Sequence, residues 1–231
     1  MEATRVLELL RGLQLDHKNG EGSGVRLARA CVELVAVTGA GIVLMDHDGN
    51  ASPLGLSDDA TGVVEDQQFT LGEGPGIDAH ERGRPVLEPR LDKTVDDRWP
   101  VFAPAAVDAG FLGVFAFPLR IGAIRFGALD LYQDVGGDLG RDQLADAKSM
   151  ADIVTRAVIA AQADADPGLL ADDLEGAGVQ TRVHQAAGMI SGQLDVHIVD
   201  ALVRLRAHAY AVGQPVDEVA RNVVERRLRF E

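Results

Sequence analysis

The chain contains a single cysteine, Cys31, and very few aromatic residues. One thiol cannot form an internal disulfide, which is typical of proteins from a reducing compartment, and redox chemistry that needs a resolving thiol is disfavoured. The histidines share no zinc-ligand spacing with this lone cysteine. Aromatic residues make up 4% of the sequence, so the hydrophobic core needs most of them.

Long apolar runs are also missing. No window approaches the roughly 18 uninterrupted apolar residues that a membrane-spanning helix needs. The first thirty residues alternate charged and apolar positions and lack the apolar core of a signal peptide. We therefore expect a cytoplasmic protein without a membrane partner. Its 231 residues, 46% hydrophobic and 25% charged, suit two small domains or one larger one.

No sequence motif indicates catalysis. Closely spaced glycines let backbone amides approach an anion, which makes Gly72–Asp78 (GEGPGID) a candidate phosphate loop. A structural turn before a short helix at 77–82 is favoured instead, because Glu73 would repel phosphate and no lysine follows. The adjacent acids Asp58-Asp59 predict a solvated loop, and no nucleophile-elbow motif is present. We expect no enzyme, no cofactor and no metal site.

The excess of negative over positive charge is confined to the first three quarters of the chain. The formal net charge is −14, yet from Glu175 onward seven acidic and seven basic residues balance. Arginine's planar guanidinium suits bidentate contacts to phosphates and base edges; a GC-rich coding bias explains a shortage of lysine equally well. All seven basic residues are arginine: Arg182, Arg204, Arg206, Arg221, Arg226, Arg227 and Arg229.

Hydrophobic periodicity predicts an α+β domain followed by helices. Apolar residues at spacings of three and four predict helices, and short β-rich runs separated by turn residues predict hairpins. Strands carrying a few helices favour an antiparallel sandwich over a doubly wound sheet. The predicted helices are 24–37 and 139–163; the predicted strands are 41–46, 51–56, 84–87, 111–120 and 123–132, with a HDGN turn at 47–50.

Four aromatic residues are candidates for lining a small-molecule pocket. A core role is the more common use of such residues in a chain this poor in aromatics. The four are Trp99, Phe102, Phe115 and Phe117.

The last fifty residues predict three helices with arginines beside apolar faces. On the second helix, Leu202, Leu205 and Ala209 belong to a core stripe. Arg206 lies at the edge of that stripe, so its stem packs and its charged head stays wet. On the first helix Ala186-Ala-Gly188 removes large side chains, which permits close approach either by a ligand or by another helix.

The C-terminal pattern resembles the signature of the ANTAR domain, a three-helix module that binds RNA and prevents premature transcription termination. Residues 26–159 resemble a GAF sensor domain, so the whole chain looks like an actinobacterial GAF–ANTAR regulator. The ANTAR resemblance covers 174–230 and rests on Gln185–Met189, Asp200-Ala201, Leu205-Arg206, Ala209 and Glu218–Ala220. The GAF resemblance rests on Gly72–Gly76, Gly83–Val86, Trp99-Pro100, Phe117–Arg120 and Gly127–Leu131.

The resemblance implies four segments along the chain. They are an N-terminal helical segment (1–23), a GAF-like domain with an antiparallel sheet, flanking helices and a connecting helix (24–163), a linker (164–173) and an ANTAR-like three-helix bundle (174–231). It also implies a homodimer that binds stem-loops in nascent transcripts and promotes antitermination, with the GAF-like domain as input, open to a small-molecule ligand.

Unpaired loop bases suit RNA recognition by stacking and edge contacts. Together with the arginine pattern, the resemblance places the RNA contacts at Gln185, Ala187, Gly188, Arg204, Arg206, Ala209 and Tyr210. The chain departs from the family at Ala187, where many members have a lysine that contacts phosphate.

Two other functions compete with this interpretation. The chain could sense a small molecule and bind a protein partner without binding RNA, which the neutral charge after Glu175 keeps open. A GAF-type sulfoxide reductase is disfavoured, because that chemistry needs several cysteines.

Overall fold

The structure, a computed structural model, describes residues 22–45, 51–93, 98–163 and 177–230. We call residues 22–163 the N-terminal domain and residues 177–230 the C-terminal bundle. Most of the expected N-terminal helical segment, the HDGN turn and the expected linker lie outside the described residues, and the domain boundaries stay predictions.

The N-terminal domain is built on a five-stranded antiparallel sheet with the strand order β2-β1-β5-β4-β3. Both expected hairpins are confirmed. Met45 pairs with Ala51, and Ile121 pairs with Ile124 across a turn in which Gly122 takes a φ of 59°. The strands are β1 Gly39–Met45, β2 Ala51–Leu56, β3 Val86–Glu88, β4 Gly113–Ile121 and β5 Ile124–Gln133.

Helices cover both faces of this sheet. On one face, Phe115, Phe117 and Leu131 share a core with the first and the long last helix of the domain. On the other face, Val114 and Tyr132 pack with three shorter helices. This division follows the alternation of side chains along β4 and β5. The helices are α1 Ser23–Val35, α2 Asp59–Leu71, α3 Pro75–Arg82, α4 Phe102–Asp108 and α5 Arg141–Ala163.

Asp58 and Asp59 are exposed to solvent, as expected, but they begin helix α2 and do not form a loop. The Asp58 carboxylate accepts a hydrogen bond from the backbone N–H of Thr61 at 2.9 Å and caps the helix, as short polar side chains commonly do. The buried side of α2 is unusually polar, since it carries Thr61, Glu65 and Gln68 beside Val64. A polar core face erases the apolar periodicity that marks an amphipathic helix.

The C-terminal bundle contains three helices, as expected: α6 Ala177–Leu194, α7 Ile198–Val212 and α8 Val216–Val224. Buried aliphatic residues from all three, among them Ile190, Leu205 and Val219, share one core. Within the described ranges, none of the helices is both long enough and apolar enough to cross a membrane.

Candidate functional site

A buried polar network lies between the sheet and α2. The Gln68 amide nitrogen is 2.9 Å from Asp130 Oδ2, 3.0 Å from the Tyr132 hydroxyl and 3.1 Å from Glu65 Oε2. Tyr132 donates to Glu65 Oε1 at 2.9 Å. The backbone N–H of Gly76 donates to Gln68 Oε1 at 2.9 Å, which aims the amide nitrogen of Gln68 at the two carboxyl groups.

The two carboxyl groups of this network favour their protonated forms. Burial raises the pKa of Asp130 to about 7. Burial and the nearby charge of Asp130 raise the pKa of Glu65 well above its ordinary value. Two adjacent buried carboxyl groups cannot both ionise cheaply, so the pair titrates as a unit that retains protons near neutral pH.

The glycine-rich segment that resembled a phosphate loop encloses this network. A Cβ at Gly76 would lie 2.1 Å from Asp130 Oδ2, and one at Gly74 would lie 2.2 Å from Gln68 Oε1. Glu73 accepts hydrogen bonds from the backbone N–H groups of Val101 and Phe102, each at 2.9 Å. The segment is therefore a structural turn, as favoured, and its glycines are needed for close approach to buried polar side chains.

The four candidate pocket aromatics do not line a common pocket. Phe115 and Phe117 pack with α1 and α5, whereas Trp99 and Phe102 lie on the opposite face of the sheet. The sheet separates the two pairs because β4 points Phe115 and Phe117 away from α4. Trp99 lines an open groove of about 420 Å³ beside α4.

Two of the residues expected to contact RNA are buried in the bundle. Ala187 and Ala209 have no exposed surface and belong to the shared core of α6, α7 and α8. Their methyl groups fill the gap between helices and cannot reach a ligand without opening the bundle. These two positions are therefore corrected to core residues of the bundle.

Four of the expected residues lie on the solvent side of the bundle. Gln185 and Gly188 are exposed on α6, and Arg204 and Tyr210 are exposed on α7. Tyr210 leaves 65% of its surface open. A Cβ at Gly188 would meet no atom within 4 Å, so among the described residues no helix packs against this glycine.

Arg206, the remaining residue, is turned toward the N-terminal domain. Its guanidinium carbon lies 5.0 Å from the centre of the Phe69 ring on α2, a cation–π distance. Burial lowers the pKa of Arg206. The sequence placed Arg206 correctly at the edge of the core stripe, but its partner lies 137 residues earlier and no local pattern links the two.

No protein-family model matches the chain, and no curated protein matches it. Solved structures do share its fold. A GAF domain from an Acinetobacter phosphoenolpyruvate-protein phosphotransferase superposes with a TM-score of 0.50 at 12% identity, covering 72% of this chain and 99% of that domain. The GAF domain of the corresponding phosphotransferase from Coxiella burnetii gives a TM-score of 0.50 at 14% identity, covering 71% and 98%. The chain is α+β, and its N-terminal domain has a GAF-like fold.

Proposed function

We propose that this protein is a signal-responsive RNA-binding regulator whose C-terminal bundle binds stem-loops in nascent transcripts and promotes antitermination. The GAF-like N-terminal domain supplies the input. The observation that carries the proposal is the solvent side of α7, where Arg204 and Tyr210 are exposed within two turns of one helix. A phenol ring and a guanidinium plane both stack on unpaired bases, and the guanidinium also contacts phosphates.

The neighbouring helix α6 offers further exposed positions that were expected to contact RNA. Gln185 and Gly188 are exposed there, and the space over Gly188 is open. Because glycine has no side chain, a nucleotide can approach the helix backbone at Gly188. An exposed glycine in the middle of a helix destabilises the helix by about 1 kcal/mol relative to alanine, and close approach by a partner would explain why glycine stands there.

Binding of a stem-loop transcript to the full chain and its variants tests this proposal. Tyr210→Ala should weaken binding by about 1–3 kcal/mol, the usual value of one stacked base, while Tyr210→Phe should bind nearly as well as the original chain. Arg204→Ala should reduce the slope of log K against log salt by about one if the arginine contacts a phosphate.

The matched control is Arg141→Ala, which removes one exposed arginine from the start of α5. If Arg141→Ala weakens binding as much as Arg204→Ala, the effect is one of net charge and the surface is wrong. Equal affinity of Tyr210→Ala and the original chain would remove the stacking role.

A protein-binding module without RNA affinity is the second candidate. Exposed apolar side chains on α7 favour it, since Val203 and Val212 leave 56% and 48% of their surfaces open. An interface of that kind depends weakly on salt, whereas binding to RNA falls steeply as salt rises. If the affinity of the chain for its isolated partner stays constant between about 50 and 200 mM salt, the partner is a protein and not RNA.

A further inference from the structure

The bundle packs directly against the N-terminal domain. Val43 on β1, Ala51 on β2 and Phe69 on α2 belong to the same apolar cluster as the core of the bundle. Phe69 is the largest side chain that the N-terminal domain adds to this cluster, and it is 5% exposed. Apolar burial of this kind holds two domains together without directional bonds.

Arg206 is enclosed at this contact. Its guanidinium covers the Phe69 ring, and its Nη1 lies 3.1 Å from where a Cβ would stand at Gly72. Gly72 ends α2 with a φ of 68°, so a glycine suits both the turn and the approach of the arginine. The Nε of Arg206 is shut off from solvent and has no hydrogen-bond partner among the described residues.

Polar groups between the two domains destabilise their contact. An unsatisfied buried N–H is unfavourable. Asp66, three residues before Phe69, lies near Asp217 of α8; partial burial and that second negative charge raise the pKa of Asp66. Arg182 and Arg221 both pair with Asp217 and reduce its repulsion of Asp66. Apolar packing and the cation–π contact therefore hold the domains together mainly against the unpaired donor of Arg206, as expected of a contact that opens.

We propose that the N-terminal domain inhibits RNA binding by holding Arg206 against Phe69 and Gly72. Arg206 precedes Tyr210 by four residues, so the two lie on one side of α7. Separation of the domains adds a free guanidinium beside Tyr210 on the surface assigned above to RNA. This inference rests on the proposed function and adds its regulation.

The buried polar network is placed to drive the opening. Gln68, which contacts Glu65, Asp130 and Tyr132, immediately precedes Phe69 on α2. Rearrangement of the network shifts the helical turn that carries Asp66 and Phe69. A change in the hydrogen bonds of Gln68 would therefore act on the neighbouring Phe69 and on its contact with Arg206.

The first experiment measures stem-loop RNA binding by the full chain, by Phe69→Ala and by Val63→Ala. Val63 lies on α2 and is 56% exposed, so its truncation is the matched control. Phe69→Ala should bind about tenfold more tightly, because the binding-competent open state becomes the major one. Val63→Ala should bind like the original chain.

A double-variant cycle separates release of Arg206 from other effects. In the original chain, Arg206→Ala removes a contact with RNA and also loosens the closed state by removing the contact with Phe69. These two effects oppose each other, so the net effect on RNA affinity should be small. In the Phe69→Ala background the same change should abolish the tenfold gain. If Arg206→Ala has equal effects in both backgrounds, Phe69 does not sequester Arg206 and the inference falls.

Asp66→Lys tests the contact with the opposite sign and without truncating the core. Asp66 keeps part of its surface open to solvent. A lysine there attracts Asp217, which should favour the closed state and weaken RNA binding despite the added positive charge; Arg182 and Arg221, which already pair with Asp217, reduce the size of the effect. Asp152→Lys, the same charge change at an exposed position of α5, is the control. Tighter binding by Asp66→Lys than by Asp152→Lys would overturn the inference.

Domain separation is measured without RNA by electron–electron distances between spin labels. The labels are placed at Val63→Cys and Val203→Cys, each valine being 56% exposed. Phe69→Ala should lengthen or broaden the distance distribution, and Asp66→Lys should narrow it. Separation with unchanged RNA affinity overturns the inference and leaves the proposed function standing. Failure of the original chain and of Phe69→Ala to bind any stem-loop at low salt overturns both.

Discussion

Replacement of Asp130 by asparagine should make the protein more stable at neutral and alkaline pH. The substitution keeps the shape of the side chain and the acceptor oxygen that faces Gln68, and it removes one of two adjacent buried carboxyl groups. The other member of the pair, Glu65, stays in place. The expected gain in the free energy of unfolding arises because the native state of the original chain must keep Asp130 protonated, whereas asparagine carries no such proton.

The magnitude follows from the pKa of Asp130. Burial raises that pKa from its ordinary value of 3.8 to about 7. Between these values the native state binds more protons than the unfolded state, so the free energy of unfolding falls as pH rises. A shift of about 3 units corresponds to about 4 kcal/mol, present below about pH 4 and lost by about pH 7.

Urea unfolding followed by circular dichroism between pH 4 and pH 8 measures this effect. The difference in the free energy of unfolding between Asp130→Asn and the original chain should grow by about 4 kcal/mol across this range. Carboxyl groups outside the pair, such as the capping Asp58, are common to both proteins and cancel. Glu65 does not cancel, because the charge of Asp130 helps to raise its pKa; the loss of that charge lowers the pKa of Glu65 in the variant and adds to the difference at alkaline pH. Glu65→Gln/Asp130→Asn should flatten the profile further, because burial also raises the pKa of Glu65.

Parallel pH profiles for Asp130→Asn and the original chain would refute the reasoning. So would lower stability of the variant at pH 8, since it would show that the ionised carboxylate is favourable where it lies.

Three further predictions concern single residues. Gly188→Ala should stabilise the bundle by about 1 kcal/mol in thermal melts and yet weaken RNA binding; tighter RNA binding would contradict the open surface over α6. Glu73→Ala should lower the free energy of unfolding by about 2 kcal/mol, because the N–H groups of Val101 and Phe102 lose their acceptor; unchanged denaturation would contradict a stabilising role of these two hydrogen bonds. Cys31 should resist thiol reagents at pH 8 until urea unfolds the chain, since burial raises its pKa to about 12; labelling of the folded protein would contradict its burial.

The sheet was predictable from the sequence because its strands are short β-rich runs separated by turn residues. Residues along β4 and β5 pack on opposite faces in turn, and hairpin turns separate the predicted runs. The same alternation places Phe115 and Phe117 on one face together, and away from α4. Helix α2 was missed because its buried positions include Glu65 and Gln68, which look like surface residues in a pattern.

The buried network left one signal in the sequence. Asp130 interrupts the apolar run Ala128–Tyr132 of a central strand, and an acid there implies a buried partner. What that partner is depends on the packing of α2 against the sheet. Likewise, the stripe on α7 predicted that Arg206 lies at the edge of the core, but the contact with Phe69 arises only when two separately formed domains meet.

Ultraviolet crosslinking of the full chain to a stem-loop transcript, with mapping of the crosslinked peptide, tests the central claim most directly. The chain has two tyrosines, and Tyr132 is buried. The account predicts crosslinks on α7 at Tyr210, in higher yield for Phe69→Ala. Crosslinks confined to the N-terminal domain, or none at low salt, would contradict it.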